Sequence, residues 1–71
     1  MVDAADDRLE ALIRRVRAEY REMPGMHLTV QQASRLWQVD PTTCTRILAR
    51  LVEEGFLKQT PTGTFVRWDS R

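Results

Sequence analysis

Five side chains that can form hydrogen bonds follow a helix start signal in the middle of the chain. They come directly after Asp40-Pro41 and are Thr42, Thr43, Thr45, Arg46 and Arg50. Short hydroxyls reach phosphates or base edges, threonine methyl groups can touch thymine, and an arginine can bind guanine through two hydrogen bonds. This face therefore predicts contact with the major groove of double-stranded DNA. The alternative is a solvent-exposed helix face, which usually carries more Glu and Lys and fewer β-branched residues.

The helix that presents this face has start, core and stop signals. Asp40 can cap its N-terminus, and Pro41 fits the first helical position because no N–H is needed there. An apolar stripe recurs at i, i+3, i+4 and i+7 and is formed by Cys44, Ile47, Leu48 and Leu51. Gly55 suits a left-handed cap at the C-terminus. We interpret Cys44 as a small buried hydrophobe and not as a nucleophile.

A shorter helix is predicted immediately before this one. Thr29 and Gln32 have the spacing of a capping box, in which each side chain bonds the backbone amide of the other residue. The residues expected to face inward are Val30, Ala33 and Leu36. Trp37-Gln38-Val39 is expected to form the turn, with its two apolar residues packing beneath it. Arg35 is interpreted equally well as a phosphate contact or as a solvent-exposed residue.

The beginning of the chain predicts a helix over about 3–22. Its apolar residues form one stripe and are Leu9, Leu12, Ile13, Val16 and Tyr20. Glu10 stands four residues before Arg14, a spacing that favours an exposed ion pair. Pro24 ends the helix because it disfavours helical backbone at the residue before it. A row of arginines is interpreted as a solvated face, with phosphate contact as the alternative; it comprises Arg14, Arg17 and Arg21.

The end of the chain predicts a β-hairpin with strands over about 56–60 and 64–68. Pro61-Thr62-Gly63 connects them, and Gly63 stands where a positive φ is needed. The residues expected to cover the helices are Phe56 and Phe65, with Leu57 or Trp68. The residues left for solvent or for a phosphate backbone are Lys58, Thr62, Thr64 and Arg67.

Together these elements predict a single domain over residues 1–71, mainly α with a small β-hairpin (α+β). It has three helices, a short strand over Met26-His27-Leu28 and the two-stranded hairpin. The two central helices span about 29–54, and the hairpin spans about 56–68. The segment LTVQQASRLWQVDPTTCTRILARLVEEGFLKQTPTGTFVR resembles the N-terminal DNA-binding domains of IclR-type and MarR-type bacterial regulators, which have the winged helix-turn-helix fold. The residues that carry the resemblance are Ala33, Asp40, Thr43, Arg46, Leu48, Leu51, Gly55-Phe56-Leu57 and Gly63.

The resemblance implies a transcriptional regulator or accessory factor that binds duplex DNA. The third helix would enter the major groove, and the hairpin, or wing, would touch the backbone through Lys58, Thr62 and Thr64. IclR-type regulators carry a large effector-binding domain, which has no counterpart after the wing, so no small-molecule effector is implied. MarR-type regulators dimerise through long helices, and here only residues 1–22 could make a homodimer. The alternative is a winged-helix module that binds another protein.

Composition narrows the classes of function. The net charge is +1, with an excess of acids over residues 1–22 and an excess of bases over residues 23–71. His27 and Cys44 are the only histidine and cysteine, so neither a disulfide within the chain nor a zinc site is expected, and no cofactor is implied. Without a catalytic constellation or phosphate loop, we expect no enzyme activity. The acidic start and the lack of a long apolar run predict a cytoplasmic protein without a membrane span.

Overall fold

The computed structural model describes residues 4–68 of the chain. Over these residues the chain forms three α-helices and a two-stranded antiparallel sheet, so the architecture is mainly helical α+β, as predicted. The helices are α1 (Ala4–Glu22), α2 (Val30–Trp37) and α3 (Pro41–Glu53). The strands are β1 (Leu57–Gln59) and β2 (Phe65–Arg67).

The first helix, α1, packs its predicted apolar stripe into the core. Ile13, Val16 and Tyr20 are buried, and Leu9 and Leu12 are half-buried against the same cluster. The predicted start near Asp3 lies outside the described residues, whereas the predicted end at Glu22 is confirmed. The apolar stripe of α1 is therefore part of the core of its own chain.

The second helix, α2, differs from the prediction at its C-terminal end. Trp37, expected in the turn, is the last helical residue and is only 3% exposed. Leu36, expected to face inward, is 51% exposed, so that prediction is wrong. Trp37 stands four residues after the buried Ala33 and so shares its side of the helix, and burying the large indole removes more apolar surface from water than burying Leu36 would. The Trp37 ring lies 6.5 Å from the Tyr20 ring, centroid to centroid, which gives it an aromatic partner in α1.

The turn between α2 and α3 covers residues 38–40 and is fixed by one serine. The Ser34 carbonyl accepts hydrogen bonds from the amides of Gln38 and Val39, and the Ser34 hydroxyl donates to the Val39 carbonyl at 2.6 Å. Gln38 adopts a left-handed conformation with φ 55°. Val39 packs against the core, as predicted. These bonds set the direction in which α3 leaves α2.

The hairpin is confirmed, but its strands are three residues long and therefore shorter than predicted. Leu57 pairs with Arg67, and Gln59 pairs with Phe65. The strands end early because Thr60 begins a compact connection, in which its carbonyl accepts from the Gly63 amide at 2.9 Å. Gly63 has φ 88°, the positive value that was predicted.

The sheet joins the start of α2 and the end of α1 to the core. Leu28 exchanges two backbone hydrogen bonds with Phe65, at 3.3 and 2.7 Å, so Leu28, β2 and β1 lie side by side in that order. The Tyr20 hydroxyl donates to the Phe65 carbonyl at 2.7 Å, and burial raises the pKa of Tyr20 above its usual range. Leu57 is buried whereas Trp68 is 62% exposed, so Leu57 is the residue that covers the helices.

Candidate nucleic-acid interface

The helix α3 is held at both ends by the signals that the sequence predicts. The Asp40 carboxylate accepts from the Thr43 amide at 3.0 Å, and Pro41 is the first helical residue. Hydrogen bonds, first that of the Thr43 hydroxyl and then that of its amide, hold the pKa of Asp40 below its usual value. At the other end Gly55 has φ 78° and closes the helix. The predicted caps are thus confirmed.

The inward stripe of α3 is fully buried, as predicted, and comprises Cys44, Ile47, Leu48 and Leu51. Burial raises the pKa of the Cys44 thiol, and the nearby Asp40 charge adds to the effect, so the thiol stays protonated at neutral pH. The opposite side is exposed and is formed by Thr42, Arg46, Ala49 and Glu53. We call these four residues the exposed face. Glu53 shares this face with the predicted contacts.

Two of the predicted threonines use their hydroxyl protons inside the helix. Thr43 donates to the Asp40 carboxylate at 2.7 Å, and Thr45 donates to the Pro41 carbonyl at 2.8 Å. A hydroxyl whose proton is engaged still has a lone pair that can accept a hydrogen bond. The exposed Thr45 side chain therefore offers solvent a methyl group and an acceptor, while Thr42 lies on the exposed face itself.

Two predicted arginines are available for contact. Arg46 on α3 and Arg35 in the last turn of α2 are both exposed, and neither forms an ion pair within the described part of the chain. A guanidinium without a carboxylate partner keeps its fork of N–H donors for a planar acceptor such as a guanine edge or a phosphate. Arg46 is therefore the arginine of α3 whose N–H donors remain available to a ligand.

Arg50, by contrast, lies between two carboxylates. Its guanidinium is 3.2 Å from a carboxylate oxygen of Glu10 in α1 and 3.2 Å from one of Glu54. Glu54 also pairs with Arg17 of α1. We call Glu10, Arg17, Arg50 and Glu54 the ion-pair network. Glu10 thus contacts α3 and not Arg14, the neighbour favoured by its spacing. Arg50, like the hydroxyls of Thr43 and Thr45, is engaged within the protein.

The hairpin contacts predicted from the sequence are held by local interactions. The Lys58 ammonium lies 5.6 Å from the centroid of the Trp68 ring, close enough for a cation–π contact. The hydroxyls of Thr62 and Thr64 lie 2.9 and 2.7 Å from that of Thr60. Sequence reasoning did not single out Thr60, although threonine at alternate positions 60, 62 and 64 is a signal for such a cluster.

A groove of about 340 Å³ runs beside the exposed face, between α3, the start of α2 and the sheet. Its apolar lining is formed by Val30, Thr45, Ala49, Val52 and Phe65, and its polar lining by Glu53 and Gln59. Phe65 is buried in the floor, while Val52 is 37% exposed at the rim. The sequence did not predict this groove because its walls come from elements that are far apart along the chain.

Comparison of the chain with protein-family models, curated proteins and solved structures found no match. The resemblance to IclR-type and MarR-type regulators stays a prediction. Across residues 4–68, none of the helices is both long enough and apolar enough to cross a bilayer.

Proposed function

We propose that this chain is a winged helix-turn-helix protein that binds double-stranded DNA and regulates transcription, alone or as an accessory factor. The order of elements supports this proposal, as does the three-residue connection 38–40, which has the length typical of a helix-turn-helix. The observation that carries it is the exposed face of α3. There Arg46 stands between the small side chains of Thr42 and Ala49 and has no carboxylate partner among residues 4–68.

In this proposal α3 lies in the major groove and Arg46 binds a guanine. Its guanidinium would donate two hydrogen bonds to the O6 and N7 atoms, an interaction that contributes about 1–3 kcal/mol of discrimination against other bases. Thr42 stands in the first turn of α3, from which a recognition helix usually contacts base edges. Ala49 leaves room for the helix to approach the base pairs.

Contacts with the phosphate backbone would orient the protein on the duplex. Arg35 at the end of α2 and Lys58 in the hairpin are the cations in position for this role, together with Thr62 and Thr64. Such contacts fix register but carry no sequence information. The net charge of +1 gives one copy little general attraction to DNA.

A homodimer would double these contacts and read two half-sites about 34–36 Å apart, or a multiple of that distance. The apolar stripe of α1 is buried in its own core, so a dimer would use other exposed apolar side chains. Met23 at the end of α1 is 60% exposed and is one such residue. The proposal implies a cytoplasmic protein with no cofactor, effector or catalytic activity.

The test is a fluorescence anisotropy titration of the full chain with duplex DNA at several salt concentrations, beside a mass measurement of the free protein. We expect binding that weakens steeply as salt rises, because phosphate contacts release counterions. Arg46→Ala should lose most of the binding, whereas Arg14→Ala, which removes the same charge from the exposed side of α1, should keep it. Salt-independent binding, or equal effects of the two variants, would refute the proposal.

A second candidate function is protein binding by the same fold. The ion-pair network neutralises Arg17 and Arg50, and Glu53 places a negative charge on the exposed face, which weakens attraction to phosphate. A photo-crosslinking amino acid at position 53, which shares the exposed face and leaves Arg46 in place, separates the candidates in cells. An adduct with nucleic acid supports the first, and an adduct with protein supports the second.

A further inference from the structure

We infer that α3 selects its DNA site chiefly through the 5-methyl groups of thymine, with Arg46 as its one strong hydrogen-bond donor. This inference rests on the proposed binding to duplex DNA. It goes further by naming thymine as the base that α3 would prefer.

The first step of the argument is that two of the three threonine hydroxyls of α3 are poor donors. Thr43 and Thr45 already donate within the chain, at 2.7 and 2.8 Å. Phosphate oxygens and the O4, O6 and N7 atoms of the bases are acceptors, so they need a donor that these two side chains no longer offer. Their hydroxyls therefore add little to recognition by donation.

The second step is the row of methyl groups along one side of α3. Thr45, Ala49 and Val52 stand at i, i+4 and i+7, and all three are exposed. They line the same groove, which the side chains of Val30 and Phe65 continue away from the helix. In the major groove thymine is distinguished by a methyl group, and alanine and threonine side chains are typical contacts for it.

The third step compares the length of this row of methyl groups with the spacing of base pairs in DNA. Val52 stands seven positions after Thr45. At a rise of about 1.5 Å per residue they cover about 10 Å, which corresponds to about three base-pair steps at about 3.4 Å each. Glu53 follows at the end of the row, where its carboxylate can accept from an amino group of cytosine or adenine. The expected site is therefore a guanine beside two or three thymines.

The experiment starts with selection of duplexes from a random-sequence pool by the full chain. Each thymine of the enriched duplex is then replaced by deoxyuridine, which lacks only the 5-methyl group. We expect each contacted methyl to be worth about fourfold in affinity, the value of one buried methylene-sized group. Replacement in the flanking DNA is the control and should leave the affinity unchanged.

Two variants at one position assign the contact to the protein. Thr45→Ser removes the methyl and keeps the hydroxyl, so the preference for thymine over deoxyuridine should fall at one site position. Thr45→Val keeps that methyl and removes the hydroxyl, so the preference should remain. Thr60→Ser makes the same change in the hairpin connection, at a residue with no proposed DNA contact, and is the control. Circular dichroism and a melting curve verify that each variant is folded.

The outcomes separate this inference from the function on which it rests. A deoxyuridine effect at two or three adjacent positions that Thr45→Ser reduces supports it. Equal affinity for thymine and deoxyuridine duplexes overturns the inference and leaves the proposed DNA binding intact. Failure of any duplex to be enriched overturns both.

Discussion

Two arginines one helical turn apart on α3 have opposite surroundings. Arg50 contacts Glu10 and Glu54, whereas Arg46 has no carboxylate partner among residues 4–68. The adjacent Glu53 and Glu54 differ in the same way. Within the described part of the chain Glu54 pairs with Arg17 and Arg50, whereas Glu53 forms no ion pair. The difference arises because α1 crosses one side of α3 and brings Glu10 and Arg17 with it. Whether an arginine is available to a partner is thus decided by the element packed beside it.

The ion-pair network matters more for charge than for stability. The side chains of Arg50 and Glu10 are 45% and 47% exposed, so water screens their attraction. Pairs of this kind contribute about 0.2–1 kcal/mol at most. Their larger consequence is that the charges of Arg17 and Arg50 are already neutralised on the α1 side. Arg46 on the exposed face keeps its charge available to a ligand.

The largest expected effect comes from the same substitution at the two arginines. Arg46→Lys keeps the charge but removes the planar fork, so duplex affinity should fall about tenfold, within the about 1–3 kcal/mol of a bidentate contact. Arg50→Lys should change the affinity less than about twofold, because this residue remains paired with carboxylates. Anisotropy titrations measure both. A greater loss for Arg50→Lys would reverse the comparison.

The next effect is on stability and compares the two adjacent glutamates. Glu54→Gln leaves Arg17 and Arg50 without their shared carboxylate, and we expect the free energy of unfolding to fall by about 0.5–1 kcal/mol. In about 1 M salt the loss should shrink, because exposed charges are screened over a short distance. Glu53→Gln is the control and should leave stability unchanged in urea unfolding. Equal losses would mean that the network adds nothing specific.

A smaller gain is expected at the turn that orients α3. Gln38 has φ 55°, a conformation that a residue with a Cβ adopts at a cost. Gln38→Gly should therefore raise the free energy of unfolding by about 0.5 kcal/mol, after the extra freedom of glycine in the unfolded chain is subtracted. Gln31→Gly, inside α2, should lower it by about 0.5–1 kcal/mol. Urea unfolding of both variants tests this, and a loss in both would argue against strain at Gln38.

The smallest effect is the pH dependence of stability that comes from Asp40, the N-cap of α3. The pKa of Asp40 is lowered in the folded chain by its bonds to Thr43, so this residue binds protons more weakly when folded. Its stabilisation is fully present above the unfolded pKa of about 3.9 and is lost as pH falls through the lowered value.

Asp40→Asn should remove that part of the pH dependence. The stability difference between the variant and the original chain should then narrow as pH falls from about 5 to about 2. Melting curves across this range measure the difference. Asp7→Asn in α1 is the control, and a narrowing of equal size there would show that the effect is not local to the cap.

Local signals predicted the end of α1, the start of α2 and both ends of α3. The pairs Thr29/Gln32 and Asp40/Thr43 bond as their spacing indicates, and Gly55 has the positive φ of a helix end. Each of these signals acts over three or four residues, so the spacing of residues in the sequence is enough to predict the contact. The apolar stripes of α1 and α3 were predicted for the same reason.

Features that depend on contacts between elements were not predicted. Trp37 displaces Leu36 from the core because Tyr20 of α1 lies beside it. Arg50 turns away from the exposed face because Glu10 is brought near by packing. The groove beside α3 needs Phe65 as its floor, and that residue enters from the far end of the chain. In each case the residue that determines the outcome is distant in sequence, so local spacing cannot predict the contact.

The hydrogen bond from the Tyr20 hydroxyl to the Phe65 carbonyl has a consequence for synthesis of the chain. Its two residues are separated by 45 positions. At about 5–20 residues per second a ribosome needs about 2–9 s to travel from one to the other. Until then Tyr20 cannot be buried with its hydroxyl satisfied, and an unpaired buried hydroxyl costs about 1–3 kcal/mol. The first helix can therefore reach its final packing only after Phe65 has been synthesised.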